Sequence, residues 1–239
     1  MKKLQRKYIS HFDLLEKRHH VRKYSDKIPP KEMIENALYK AWKTTPSKNN
    51  AMPYKVFVYG PEHKEKKKAI HAMIHGNHDD AEHRAIERGQ ADKTEGGSPN
   101  PFYEHMMYNP YCVCIHAQPR EPNDFYKFQV KRGMFFDQAW PERVENFIDT
   151  SAIEVGMFLQ NLSTYLLEQG IDISYTSCFF RDIKKWHEAG LTEAEYRPIC
   201  LMSIGYSKLY RKDDPYVKSA AKFNRSDIKP EYKDMVKWV

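Results

Sequence analysis

Long apolar runs are missing from this 239-residue chain. Its apolar runs, such as Val56–Tyr59 and Ile199–Met202, fall far short of the ~20 residues that a membrane-spanning helix needs. The basic opening Met1–Lys7 leads into no apolar stretch. A secretory leader is therefore not expected, and the reading places the chain in the cytoplasm. Cysteine is scarce. Four residues, Cys112, Cys114, Cys178 and Cys200, cannot form a disulfide framework in a chain this long, so reduced thiols are expected. No Gly-x-Ser-x-Gly elbow occurs, which disfavours an α/β-hydrolase. No Gly-x-Gly-x-x-Gly or Walker loop occurs either, which disfavours a nucleotide-fold dehydrogenase or a P-loop enzyme. His71, His75 and His78 approach a zinc-ligand spacing, but Gly76 interrupts them and no glutamate motif accompanies them, so no metal is expected. There is no internal repeat and no low-complexity tract.

What is present is charge. The formal net charge is +7 and the mean hydropathy −0.80. A basic protein can meet nucleic acid, a membrane surface or an anionic cofactor. Here the cations are spread along the chain, and the densest cluster, Lys64–Lys68, reads as a solvated helix face. Neither nucleic acid nor membrane is an expected partner. The length suits a single domain over 1–239. Within it, 76–140 reads as a polar excursion or lid, and 208–239 as a C-terminal arm that packs on a partner subunit.

Periodicity supplies the elements. Residues 9–20 read as a first helix with cations at its end. A second helix opens at Pro29-Pro30 and stops near Thr44. Tyr54–Gly60 reads as a strand and turn, followed by a helix through Lys66, Ala69, Ile70 and Met73. Tyr111–Ala117 is a strand that should turn Cys112 and Cys114 to one face. The connection over 118–140 is aromatic-rich and of no assigned form. A long helix runs from about Asn146 to Gln169, with Ala152, Val155, Leu159, Leu162 and Leu166 as its apolar stripe and Gly170 as its cap. A strand over Ile171–Tyr175, a helix near Asp182–Ala189 and an apolar strand over Pro198–Ile204, buried on both faces, complete the order. The pattern is α+β, a sheet flanked by helices.

Three segments carry candidate chemistry. In Arg18-His19-His20-Val21-Arg22-Lys23-Tyr24, two arginines four apart can reach different parts of one long anion. In Thr45-Pro46-Ser47-Lys48-Asn49-Asn50-Ala51-Met52-Pro53-Tyr54, turn formers and amides lie between a helix and a strand and can meet the polar edge of a heterocycle. In Gly170–Cys178, a helix cap, a short strand and small polar residues can bring backbone N–H groups to a bound ring. Each also has a plainer reading: a basic helix end, a connecting turn, an αβ junction.

Taken together, the order and spacing resemble the FMN-dependent nitroreductase family. Its Pro-Ser-x-x-Asn-x-Gln-Pro-Trp-like loop stands here as Pro46–Tyr54, with Met52 in place of the usual glutamine and Tyr54 in place of the tryptophan. The resemblance implies a nitroreductase-like fold with a central mixed or antiparallel sheet, and a homodimer that exchanges C-terminal arms. It implies that Arg18 and Arg225 meet the FMN phosphate, with His19 and His20 nearby. Arg22 would lie by N1 and O2 of the ring, where a fixed cation favours the reduced flavin. Pro46, Ser47, Lys48 and Asn50 would come from the opposite subunit. Tyr175 and Thr176 would pack along the ring, and the backbone N–H near Ser177 would reach N5, the atom that takes hydride. Many family members carry an acidic residue and glycine where this chain has Ser177-Cys178. The family's mid-chain asparagine has two candidates, Asn100 and Asn109.

The implied activity is hydride transfer in two steps, from NADH, NADPH or reduced ferredoxin through FMN to a nitroaromatic, quinone or similar acceptor. The basic surface would suit an acidic electron carrier. The alternatives are reductive dehalogenation, flavin fragmentation, or non-catalytic binding of polyanions.

Overall fold

The computed structural model describes residues 10, 14–15, 18, 21, 24–74, 110–117, 124–132, 144–192, 196–208 and 235–236. Of the expected first helix, Leu14 and Leu15 are helical and the Leu14 amide donates to the Ser10 carbonyl at 3.2 Å. Arg18 is described just beyond them, its amide donating to the Leu15 carbonyl at 3.2 Å; residues 9, 11–13, 16–17 and 19–20, and most of 76–140 and 208–239, lie outside the described residues.

Helix α1 spans Lys31–Thr44 behind Pro30, with Glu32 in its first turn and Lys43 in its last, both matched to the helix dipole. It buries Ile34, Ala37 and Ala41, spaced three and four apart on one face. The Thr45 hydroxyl donates to the Ala41 carbonyl at 2.6 Å and helps end the helix. A single 3-10 turn over Lys48–Asn50 leads into strand β1, Tyr54–Tyr59. Helix α2, Lys64–Ala72, follows. The expected solvated lysine face needs one correction here. Lys67 lies three residues before Ile70 on the inward side, is 4 % exposed, and reaches the Pro110 carbonyl at 3.4 Å. Its long stem packs against the core while the ammonium finds an acceptor.

Strand β2 is Tyr111–Ala117, as the sequence predicts. The unassigned 118–140 stretch holds a helix, α3, over Asp124–Lys131. Its Asp124 and Lys127 pair at 3.5 Å. Helix α4 spans Val144–Glu168. Its buried stripe is Ser151, Glu154, Val155, Phe158, Leu159, Leu162, Ser163 and Leu166, while Ala152 is exposed. Val155, Leu159, Leu162 and Leu166 are buried as expected, and the stripe is widened by Phe158 and by polar residues, Ser151, Glu154 and Ser163. Gly170, at φ +70°, ends the helix: the Ile171 amide bonds the Leu166 carbonyl at 3.0 Å and the Gly170 amide the Leu167 carbonyl at 2.9 Å. Strand β3 is Asp172–Thr176, helix α5 is Ile183–Glu188 with Asp182 capping the Lys184 amide, and strand β4 is Arg197–Gly205.

The four strands form one antiparallel sheet in the order β1-β2-β4-β3. Alternation along β2 divides the core. Tyr111, Val113 and Ile115 face α1 and α4, together with Met202, Ile204 and Ile173. Cys112 and Cys114 share the opposite face with Tyr59, Ile70, Phe179 and Trp186. Between Ile115 and His116 the β2–β4 register shifts, leaving Ile199 without a partner beside Pro198, which cannot donate to the ladder. No described helix is long and apolar enough to cross a membrane.

Candidate functional site

The loop between α1 and β1 is held in a shape its residues would not choose alone. Asn50 and Met52 have φ of 52° and 43°. Asparagine tolerates that region, but methionine adopts it only when its surroundings enforce it. Several bonds do so. The Met52 amide donates to Ser47 Oγ at 2.9 Å, the Tyr54 amide to the Met52 carbonyl at 2.7 Å, and the Tyr54 hydroxyl to Met52 Sδ at 3.4 Å. Ser47 Oγ donates in turn to Glu154 Oε2 at 2.7 Å, and the Lys48 amide donates to Glu154 Oε1 at 3.2 Å. Pro46, Lys48 and Asn50 are exposed. Ser47 is half-buried, and its hydroxyl is engaged inside the protein.

Glu154 is the residue sequence reasoning missed. It is only 3 % exposed. Burial and then the charge of Glu154 push the Tyr54 phenol well above its ordinary range. Its one sequence signal is weak: it adjoins Val155 of the apolar stripe, and a carboxylate buried there demands hydrogen-bond donors that only the fold supplies. Beside the loop, Leu38, Trp42, Met52, Tyr54, Val56 and Phe158 line a mostly apolar groove of about 540 Å³. Tyr39 and Trp42 stand half-exposed at its rim, with ring centroids 5.7 Å apart. Helix α3 packs against the 3-10 turn, which brings part of the 118–140 segment next to this loop.

The end of β3 forms the second part. Burial pushes the Tyr175 phenol well above its ordinary range, and the nearby Arg18 guanidinium partly opposes that shift. The first and third candidate segments meet beside the end of β4: Tyr24 bridges Ser207, whose amide donates to Asp172 Oδ2 at 2.8 Å. The Tyr175 hydroxyl bonds Ser163 and donates to the Leu159 carbonyl at 3.2 Å. Thr176 is buried, and its hydroxyl accepts the Cys178 amide at 3.2 Å. Ser177 and Cys178 are exposed, with Arg181 donating to the Ser177 carbonyl at 3.4 Å. Cys200 Sγ lies 3.7 Å from the Thr176 carbonyl, and burial pushes that thiol up to about 12. The four cysteines, all among the described residues, form no disulfide.

The loop and the β3 end both attach to α4, the former at Glu154 and Asn161, the latter at Leu159 and Ser163. His19, His20, Arg22 and Arg225 lie outside the described residues. Among the described residues, no group of three or more His, Cys, Asp or Glu side chains is placed to hold a metal ion.

No curated protein matches the sequence. Solved structures do match the fold. A nitroreductase-like protein from Streptococcus mutans superposes with a TM-score of 0.62 at 15% identity, over 96% of this chain and 98% of that one. A protein from Exiguobacterium sibiricum, classed as a nitroreductase and solved with FMN, gives 0.61 at 16% identity, over 97% and 98%. A variant of an FMN- and NADPH-dependent nitroreductase from Sphingopyxis sp. strain HMH gives 0.59 at 15% identity, over 96% and 98%. At these identities the likeness establishes the fold. The family model described as "Nitroreductase family" matches residues 15–206, which takes in the loop, α4 and all four strands. The chain belongs to the nitroreductase family.

Proposed function

We propose that this protein is an FMN-dependent oxidoreductase, acting as a cytoplasmic homodimer. It reduces a small organic acceptor, such as a nitroaromatic or a quinone, with electrons from NADH or NADPH. The observation that carries this reading is the match of the nitroreductase family model over residues 15–206, a span that takes in Arg18, the strained α1–β1 loop and the end of β3. Arg18 offers a fixed cation with a donor fork suited to a phosphate. FMN fits the available chemistry: a guanidinium, a loop exposing Lys48 and Asn50, and an apolar groove. Bound FMN would supply the two-electron chemistry, taking hydride at N5 and passing it on.

In this reading Arg18 and Arg225 hold the phosphate, with His19 and His20 beside them. Arg22 supplies positive charge at the N1–O2 edge. Tyr175 and Thr176 pack along the ring, and the main chain at Ser177 faces N5. Pro46, Lys48 and Asn50 reach across from the opposite subunit. Ser47 acts by shaping that loop, since its hydroxyl already bonds Glu154 and Met52. The segment beyond Lys208 lies on the partner as an arm, 76–140 covers the substrate side, and the whole chain forms one domain.

The test is direct. The purified protein should be yellow, elute as a dimer, and have its bound flavin reduced by NADH or NADPH and reoxidised by nitroaromatics or quinones. Reduction only by reduced ferredoxin would reassign the donor to an acidic carrier. Selective turnover of halogenated aromatics, or loss of the flavin itself, would move the chain to a sister activity. A colourless monomer whose affinity for polyanions falls steeply with salt would overturn the flavoenzyme reading.

A further inference from the structure

Glu154, Phe158 and Asn161 lie four and three residues apart, so they share one face of α4. Each meets a different part of the same stretch of chain. The Asn161 amide donates to Thr45 Oγ1 at 3.2 Å and Thr44 Oγ1 at 3.3 Å, at the end of α1. Phe158 packs on Tyr54, with ring centroids 5.5 Å apart, and lines the groove. Glu154 takes the Ser47 hydroxyl and the Lys48 amide. A buried carboxylate is costly unless donors surround it. Its place here is explained by what it holds: a loop with positive φ at Asn50 and Met52.

We propose that Glu154 is a positioning residue for cofactor binding. Its carboxylate orients Ser47, Ser47 fixes the Met52 amide, and the resulting loop presents Lys48 and Asn50 outward. The inference rests on the flavin reading for its consequence, but the clamp itself is testable without flavin.

Four proteins suffice: wild type, Glu154→Gln, Ser47→Ala, and the double variant, with the exposed Glu168→Gln as a control on the same helix. Amide hydrogen exchange in the flavin-free protein reads the clamp. Lys48 and Met52 should be protected in wild type and in Glu168→Gln, and should lose protection in both single variants. FMN titration and the visible flavin spectrum read the consequence. Each single variant should bind FMN about tenfold to a hundredfold more weakly, with a changed spectrum. The double variant should be no worse than either single one, because the two residues act as a unit. The spectral change and this non-additivity would not arise from a general loss of stability. Unchanged exchange at Lys48 and Met52 would overturn the clamp. Lost protection with unchanged FMN affinity and spectrum would overturn its role in cofactor binding. Wild type that binds no FMN, with the clamp intact, would instead remove the flavin reading and this role with it. Ser47→Ala is a small change, so the test survives if Glu154→Gln fails to fold.

Discussion

The phenol of Tyr175 on β3 is hydrogen-bonded to the hydroxyl of Ser163 on α4 and also reaches the Leu159 carbonyl. The hydroxyl therefore serves the interior, and the half-buried ring packs against the core. Tyr175→Phe should lower stability by about 1 kcal/mol, the net worth of a lost hydrogen bond, in a urea titration. The shape of the pH–turnover profile should stay the same, because a phenol held above its ordinary range does not titrate in the working pH span. An ionisation that disappears from that profile would show the hydroxyl reaching the substrate.

Charge removal should separate two roles. Arg18→Ala and Arg225→Ala should weaken FMN binding by about tenfold or more, read by flavin fluorescence. Arg22→Ala should lower the reduction potential of the bound flavin, because a fixed cation favours the charge that gathers on the reduced ring. An unchanged potential in a folded, flavin-loaded Arg22→Ala protein would refute that assignment.

His116 predicts an acid sensitivity. It is fully buried, edge-on to Phe57 and Trp186, with Nδ1 2.9 Å from Thr192 Oγ1. Burial pushes its pKa down from the ordinary 6.5 to about 4. The unfolded chain thus takes up the proton first as pH falls. The stabilisation is fully present above pH 6.5 and is lost between there and about pH 4. The loss is at most on the order of 3 kcal/mol. Urea titrations across that window should show the decline, and His116→Gln should flatten it. Equal slopes in both proteins would count against His116 as the source.

Gly205 predicts a steric cost. A Cβ there would lie 2.6 Å from Pro110 Cδ and 2.6 Å from Tyr24 Cδ1. Neither neighbour yields easily: one is a ring fused to the main chain, and the other is tied by its hydroxyl to Ser203 Oγ at 2.8 Å. Gly205→Ala should destabilise by about 1–3 kcal/mol, as overpacking does. Thermal unfolding measures this, and an unshifted midpoint would show that the end of β4 is looser than it stands.

The sequence made the sheet and its flanking helices legible because their signals are local. Tyr111–Ala117 alternates between two buried faces, Pro29-Pro30 marks the start of α1, and Gly170 marks the end of α4. Helix α3 escaped because aromatic residues crowd it and hide its period. Lys67 and Glu154 escaped for a shared reason. Charge argues for the surface, and only the tertiary structure supplies the Pro110 carbonyl to one and the Ser47 hydroxyl to the other. In the candidate site, Arg18 and Tyr175 were legible as members of separate motifs. How those two motifs come together, through the Tyr24–Ser207 bridge and the Ser207 amide on Asp172, depends on packing across a long stretch of chain that no local pattern encodes.

Helix α4 is the common spindle on which both parts of the candidate site are mounted. Each added residue turns a helix by about 100°. One residue inserted between Leu159 and Asn161 would therefore swing Glu154 and Asn161 onto different sides and release the α1–β1 loop, while Ser163 would lose its line to Tyr175. A change of length inside this helix would thus undo both attachments at once, which an exchange of one exposed residue would not.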